Sequence, residues 1–356
     1  MTRDASHRSN RHKTAVRVVV GCGLGAIALW LTLRGIDADA LAGALARAGV
    51  PGVLASLALV AATVATAVWR WRFLLFPRGA PPGADRRVAA AVVAAQAINI
   101  VMPIRLGEAA RAFWISRSER QPLARVAATI VVERTADVVM LGVSISLLLV
   151  QLSLPSWARN PGRFALAASV MALGASIALA RWASPILAAL ERAVRPVLTE
   201  GARRFVVRHA GEAAREFTTL GSWRSSAPVW ILTALLVVLA SATNYVLFLA
   251  FDIRLSPAVA LLLFVVLQIG VAPASTPGNL GVFHYLTVLA LEAFGVERTV
   301  AVAYAIVLHA VATLPKIAAG ALIAAASPDM FLDALHRRDA SRLAPAAAGD
   351  RVADHG

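Results

Sequence analysis

Arg105, Glu108 and Arg111 recur at a spacing of three within Asn99-Ile100-Val101-Met102-Pro103-Ile104-Arg105-Leu106-Gly107-Glu108-Ala109-Ala110-Arg111, and a second charged set, Glu133, Arg134 and Asp137, lies in the next apolar run. On a helix, positions three and four apart share a face, so each set presents its charges together. Guanidinium forks bind phosphate oxygens or carboxylates in a bidentate way, and carboxylates at this spacing can hold such forks in place. These residue types therefore point to an anion site or to an ion-pair network that fixes helix packing. Both readings stand at the level of the sequence.

The cost of the second set narrows where it can sit. Placed in a span starting near Val126, three charges at mid-membrane depth cost roughly 8 kcal/mol at about 2.5 to 3.5 each. The thirteen Leu, Ile and Val residues of that span offset roughly 4 to 8 kcal/mol on the insertion scale. Such a helix needs its charges paired or hydrated inside a bundle. The nearest cations in sequence are Arg105 and Arg111, which predicts a network in which Glu108, Glu133 and Asp137 hold the arginines.

A second interruption, Ala272-Pro273-Ala274-Ser275-Thr276-Pro277-Gly278-Asn279-Leu280-Gly281, carries polar groups of its own. Asn279 and Ser275 are candidates to donate to a ligand, or to cap backbone groups that the break frees. His284, just beyond it, could bond a headgroup or titrate near neutrality, or be a satisfied histidine between helices. A metal pair of His284 with His309 would require folding to bring the two together. Lys316 reads as a side chain that reaches an interface, with anion binding as the alternative. Asn244-Tyr245 reads as an interhelical contact. The lone cysteine, Cys22, excludes a disulfide framework and a cysteine-based metal motif. No Gly-x-Ser-x-Gly elbow, phosphate loop or His-Glu-x-x-His motif occurs, so neither an enzyme nor a bound cofactor or metal is expected.

The elements that must position these groups are membrane helices. Hydrophobic residues make up 59% of the 356, mean hydropathy is +0.70, and the apolar residues collect in long runs. The net charge of +15 is distributed as topology rather than as a nucleic-acid face. Residues 1–17, 70–87 and 181–224 hold five, five and eight basic side chains, while the connections 34–50, 153–163 and 251–256 hold two, two and one. The positive-inside rule puts the first set in the cytoplasm. The run Trp69-Arg70-Trp71-Arg72-Phe73 reads as an aromatic and basic anchor at that interface.

With that constraint, residues 15–33, 52–69, 126–151, 163–181, 228–250 and 299–326 make six crossings, with both termini inside. Residues 88–102 and 105–116 form a re-entrant hairpin turning near Met102-Pro103. Residues 257–272 and the helix running to about Phe294 form a second one from the other face. Irregular backbone at membrane depth needs a cavity or an interhelical site, and paired broken helices mark such sites in transporters. The expected fold is an all-α polytopic transmembrane helical bundle with two broken or re-entrant helical hairpins, compatible with an inverted repeat. A basic N-terminus (1–13) precedes the membrane domain (14–326), which includes an amphipathic cytoplasmic segment (182–224) suited to the inner leaflet. Residues 327–356 read as a disordered cytoplasmic tail.

Pro103-x-Arg105-x-Gly107-Glu108-x-x-Arg111, Glu133-Arg134-x-x-Asp137 and Pro277-Gly278-Asn279-Leu280-Gly281 resemble, in order and spacing, the lysylphosphatidylglycerol synthase transmembrane-region family, also called flippase-like domain proteins. The resemblance covers about residues 14–326. It implies an integral membrane bundle and, for the better understood branch, movement of a modified phospholipid between leaflets. Gly278-Asn279 replaces the family's glycine pair, and His284 stands where an acidic residue is usual. The relatives that are enzymes carry an added soluble domain, and the residues after Ala326 are too few and too polar to form one, so synthase activity is not expected.

The resulting expectation is a bacterial inner-membrane protein that binds an anionic phospholipid or a polyprenyl-linked headgroup through Arg105, Glu108, Arg111, Glu133, Arg134, Asp137, Asn279 and His284, and moves it between leaflets. Two alternatives stay open: a non-transporting accessory or scaffold subunit in cell-envelope lipid synthesis, and an intramembrane enzyme acting on a polyprenyl phosphate. The expected partners are the lipid, the membrane, and a second copy or an envelope-synthesis protein, with no nucleic acid.

Overall fold

The structure, a computed structural model, describes residues 20–102, 106–152, 162–175, 223–271 and 276–327, with the single positions 160, 192, 200 and 211. The basic N-terminus, Pro103, Arg105, Ser275, nearly all of the amphipathic segment and the tail after Ser327 lie outside the described residues. Regular structure among the described residues is helical: α1 (Val20–Leu33), α2 (Ala38–Ala46), α3 (Val50–Leu75), α4 (Ala84–Val101), α5 (Gly107–Ser118), α6 (Leu123–Gln151), α7 (Gly162–Ala175), α8 (Trp223–Ala250), α9 (Pro257–Val271), α10 (Val282–Glu292) and α11 (Arg298–Ala326). This is the all-α bundle that the apolar runs predict.

Among the described residues, three helices are long and apolar enough to cross a membrane: α3, α8 from Ser226 onward, and α11. Helices α1 and α2 would supply a fourth span if taken as one, although they bend by 87° at the break between them. Of the six expected crossings, these three satisfy length and apolarity outright. The 29-residue α6 has the length but carries the second charged set, and α7 is described only over Gly162–Ala175.

Small residues let the long helices approach closely. At one end of the bundle the Gly49 amide donates to Ala250 O at 2.8 Å, and a Cβ on Gly52 would stand 2.6 Å from the Ala250 Cβ. Helices α3 and α8 run antiparallel from there, the way membrane helices pack when van der Waals contact replaces the hydrophobic drive. Where helices start, local chemistry fixes them. Asp37 caps α2 by accepting from Ala40 N at 3.1 Å, and Glu297 caps α11 by accepting from Thr299 N and Val300 N at 2.8 and 3.1 Å.

Both interrupted segments are helical hairpins, α4 with α5 and α9 with α10. The first has its own apolar core with Trp71, Leu75, Val88, Ile115, Val126 and Val132. The second is built into another, with Phe248, Leu263, Leu291, Tyr304 and Leu308. The two hairpins meet where the described part of the second turn lies against the end of α4. A 3-10 turn at Pro277–Asn279 lies against α4, and a Cβ on Gly278 would come 3.9 Å from Ile100 O. Helix α11 backs the joint, because a Cβ on Gly320 would be only 2.3 Å from the Ala97 Cβ of α4. The second turn needs unusual backbone: Gly278 and Gly281 have φ of 63° and 82°, values that glycine adopts without a steric penalty.

Candidate functional site

Glycine at 107 sets the geometry of the first hairpin. A Cβ there would stand 2.1 Å from Ala95 O and 2.7 Å from Asn99 Oδ1, so only glycine lets α5 begin directly against α4. Asn99 uses that proximity. Its Oδ1 accepts from the Gly107 amide at 2.8 Å, and its Nδ2 donates to Glu108 Oε2 at 3.0 Å. The first orphan donor of α5 is thereby satisfied, and Glu108 is aimed at α6. The glycine thus permits close backbone approach between α4 and α5.

Glu108 is one of a cluster of six charged side chains from α3, α5 and α6. Arg70 Nη2 donates to Glu133 Oε1 at 3.0 Å, and its Nη1 donates to Asp137 and, at 3.1 Å, to the Thr233 hydroxyl of α8. Arg111 Nη2 forms an ion pair with Glu133 Oε2 at 3.0 Å, while its guanidinium lies 4.5 Å over the Trp71 ring. The Trp71 indole is held in turn by donating to Thr129 Oγ1 at 3.1 Å. Arg134 reaches three carboxylates: Asp137 Oδ2 at 3.1 Å, Glu133 Oε1 at 3.2 Å and Glu108 Oε1 at 3.6 Å.

The cluster is closed on one side and open on the other. The side chains of Arg70, Arg111 and Glu133 are buried, whereas that of Arg134 is 52% exposed and those of Glu108 and Asp137 are partly so. Among the described residues, Arg70 Nε and Arg111 Nε are buried with no hydrogen-bond partner. A buried donor left unmade costs about 1–3 kcal/mol, so the cluster retains an unmet demand for acceptor oxygens. It lies toward the ends of α3 and α5–α6 that carry the basic residues, with Arg70 five residues short of Leu75, about 8 Å along the helix.

Arg70 is the functional-site candidate that sequence reasoning missed, and its reading as part of an interfacial anchor is corrected. Trp69 is 58% exposed and Trp71 fully buried, so alternate positions of the anchor face opposite ways. Trp69 does sit outside, and Arg72 is partly exposed and donates to Asp85 at 2.6 Å. Arg70 and Trp71 turn inward.

The remaining candidates gather at the joint of the two hairpins. Asn279 lies in the turn, half-buried, with φ of 56°. His309 Nε2 donates to Gly278 O at 2.8 Å, and the His284 ring stands 4.8 Å from the His309 ring, centroid to centroid. His284 is 7% exposed and its Nδ1 has no partner among the described residues, so it is not the satisfied histidine that was the alternative expectation. Folding has thus brought the two histidines together, although no group of three or more metal-ligating side chains forms among the described residues. Asn244 bridges helices as expected, donating to Ala260 O at 3.1 Å. An open cavity of about 650 Å³ lies at the opposite end of the bundle, between Arg47, Phe251, Asp252 and Phe294, and shares no residue with the charge cluster.

Cluster and joint are connected through consecutive residues of α4: Asn99 holds Glu108, and Ile100 faces Gly278. This places the described residues of the first and third motifs next to each other at the end of α4, with the second motif beside Glu108. Comparison with curated proteins finds no match. A family model described as lysylphosphatidylglycerol synthase TM region matches residues 18–320, a stretch that contains all three motifs and both hairpins. The chain belongs to the lysylphosphatidylglycerol synthase TM region family, a membrane protein family of lipid-related processes.

Proposed function

We propose that the protein binds the phosphate diester of an anionic phospholipid or lipid-linked headgroup at the Arg70–Arg111–Arg134 cluster and moves it between leaflets. The observation that carries this reading is the half-exposed Arg134 sharing Glu133 with Arg70 and Arg111, two buried arginines whose Nε–H groups lack acceptors. A guanidinium held by carboxylates is a replaceable partner: phosphate oxygens make the same forked bonds. When a headgroup enters, Arg134 exchanges Glu108 and Asp137 for phosphate oxygen, and the carboxylates keep the buried arginines in place. Arg105, outside the described residues, is assigned to headgroup binding from the sequence of the first motif alone. The positive-inside rule assigns the cluster to the cytoplasmic side of a bacterial inner membrane, with both termini on that side. No step in this reading breaks a covalent bond, so it describes a binding and transport protein rather than an enzyme.

One observation favours a second reading. Three guanidinium groups and three carboxylates are already matched within the cluster, as in a network that only fixes helix packing in a scaffold subunit. Lipid retention separates the two. Protein purified in mild detergent is expected to carry phosphatidylglycerol or another anionic lipid, detected by mass spectrometry, and Arg134→Ala is expected to lose it while remaining folded. Retention unchanged in folded Arg134→Ala would favour the scaffold.

A further inference from the structure

The joint between the hairpins contains polar groups that the headgroup cluster does not use. His284 and Thr276 are buried, and neither His284 Nδ1 nor Thr276 Oγ1 has a hydrogen-bond partner among the described residues. His309 donates from Nε2 to Gly278 O, which fixes its tautomer in the neutral form and leaves Nδ1 as a lone-pair nitrogen. Two imidazoles with ring centroids 4.8 Å apart therefore offer free lone pairs but room for only one added charge, since two imidazolium ions this close repel.

The surroundings say what a proton there would require. Helix α4 brings no titratable group from Val88 to Val101, and α9 brings none. Helix α1 approaches at Gly25, and its only titratable residue within the helix, Cys22, is exposed. Helix α10 also carries Tyr285, whose side chain is partly exposed, and Glu292, paired with Arg298. Helix α11 carries Tyr304, whose hydroxyl donates to Asn244 O, and Lys316, two turns beyond His309. Helices α2, α3 and α8 bring Asp39, Arg70 and Arg72, and Tyr245, and Arg47 follows α2; among the described residues no ion pair joins any of them to either histidine. No carboxylate pairs with either histidine among the described residues, so an imidazolium formed at the joint lacks a counter-ion supplied by the protein.

We propose that His284 and His309 form a site for one proton that fills together with the phosphate diester of an anionic lipid, so that proton and headgroup pass the joint as a neutral pair. The proton adds to an imidazole lone pair and no bond is broken. The phosphate supplies the missing counter-charge, and Thr276 Oγ1 supplies a further hydrogen bond to it. The site adjoins the end of α4, one residue beyond the contact that holds Glu108. The assignment rests on the reading that the protein binds anionic lipid, and it names what drives uphill movement: a proton gradient.

The test uses full-length protein labelled with ¹⁵N-histidine in nanodiscs of phosphatidylcholine alone, of phosphatidylcholine with phosphatidylglycerol, and of phosphatidylcholine with inorganic phosphate added. The ring nitrogens are titrated by NMR and assigned with His284→Asn and His309→Gln. Phosphatidylglycerol is expected to raise the shared titration of the pair by about one unit or more, with one proton taken up, and inorganic phosphate is expected to leave it in place. In His309→Gln the lipid dependence of His284 is expected to fall away, while retention of phosphatidylglycerol at the arginine cluster is unchanged. Titrations identical in all three discs, or an equal shift with inorganic phosphate, would overturn the proposal. Loss of lipid retention in Arg134→Ala, read separately, reports on the headgroup site alone.

Discussion

At the scale of single residues, position in the helix decides what an arginine costs to lose. Arg70 and Arg72 are two residues apart, yet Arg70 is buried against Glu133 and Asp137 while Arg72 pairs with the largely exposed Asp85. Removing one partner of a buried pair strands a charge, so Arg70→Ala is expected to destabilise the fold by about 3–5 kcal/mol. Arg72→Ala is expected to cost under about 1 kcal/mol, the range of surface ion pairs. Thermal unfolding in detergent of the two variants side by side checks the contrast. Here the sequence was legible in part. Of the expected network of Glu108, Glu133 and Asp137 with Arg105 and Arg111, Arg111 pairs with Glu133, Glu108 and Asp137 pair with Arg134, and Arg105 lies outside the described residues. Arg70 stayed hidden because a basic, aromatic run at a helix end has the composition of an interfacial anchor, and composition is blind to which way each side chain faces.

At the scale of elements, hairpins and caps depend on a few atoms. Gly107→Ala puts a methyl group into Ala95 O and Asn99 Oδ1, so α5 must back away from α4 and Glu108 loses its hold. A loss of about 1–3 kcal/mol is expected, from overpacking, together with faster proteolysis near the hairpin turn. Glu297 gives a pH signature. Accepting the backbone N–H of Thr299, and also of Val300, holds its carboxyl below the usual range. Its folded value lies below its unfolded one, so its contribution is present above the unfolded value of about 4.3 and lost as pH falls through the lowered folded value. Glu297→Ala is expected to cost roughly 0.5–1 kcal/mol at neutral pH and nothing once the carboxyl is protonated, by thermal melts across acid pH. Proline and glycine announced both hairpin breaks in the sequence. The contact between the two hairpins was not announced, because close approach of Gly278 to Ile100 depends on how α4 and α11 pack and not on either segment's own pattern.

At the scale of the molecule, two hairpins with separate apolar cores meet at the end of α4, where Asn99 holds Glu108 and Ile100 lies against the Gly278 turn that bonds His309. Hydropathy reveals the bundle because membrane helices must be apolar over their length, whereas it underdetermines the number of crossings where charges interrupt a helix, as in α6. The family resemblance read from three short motifs is met by a match over residues 18–320. That this arrangement serves an anionic headgroup is most directly tested by leaflet accessibility in vesicles containing fluorescent phosphatidylglycerol, comparing the protein with Arg134→Ala and Arg111→Ala. The account predicts that the wild-type protein exposes inner-leaflet lipid to an external quencher at least about tenfold faster than either variant, as for loss of a charge-assisted bond of about 1.5–3 kcal/mol. Equal rates in the wild type and in both folded variants would contradict it.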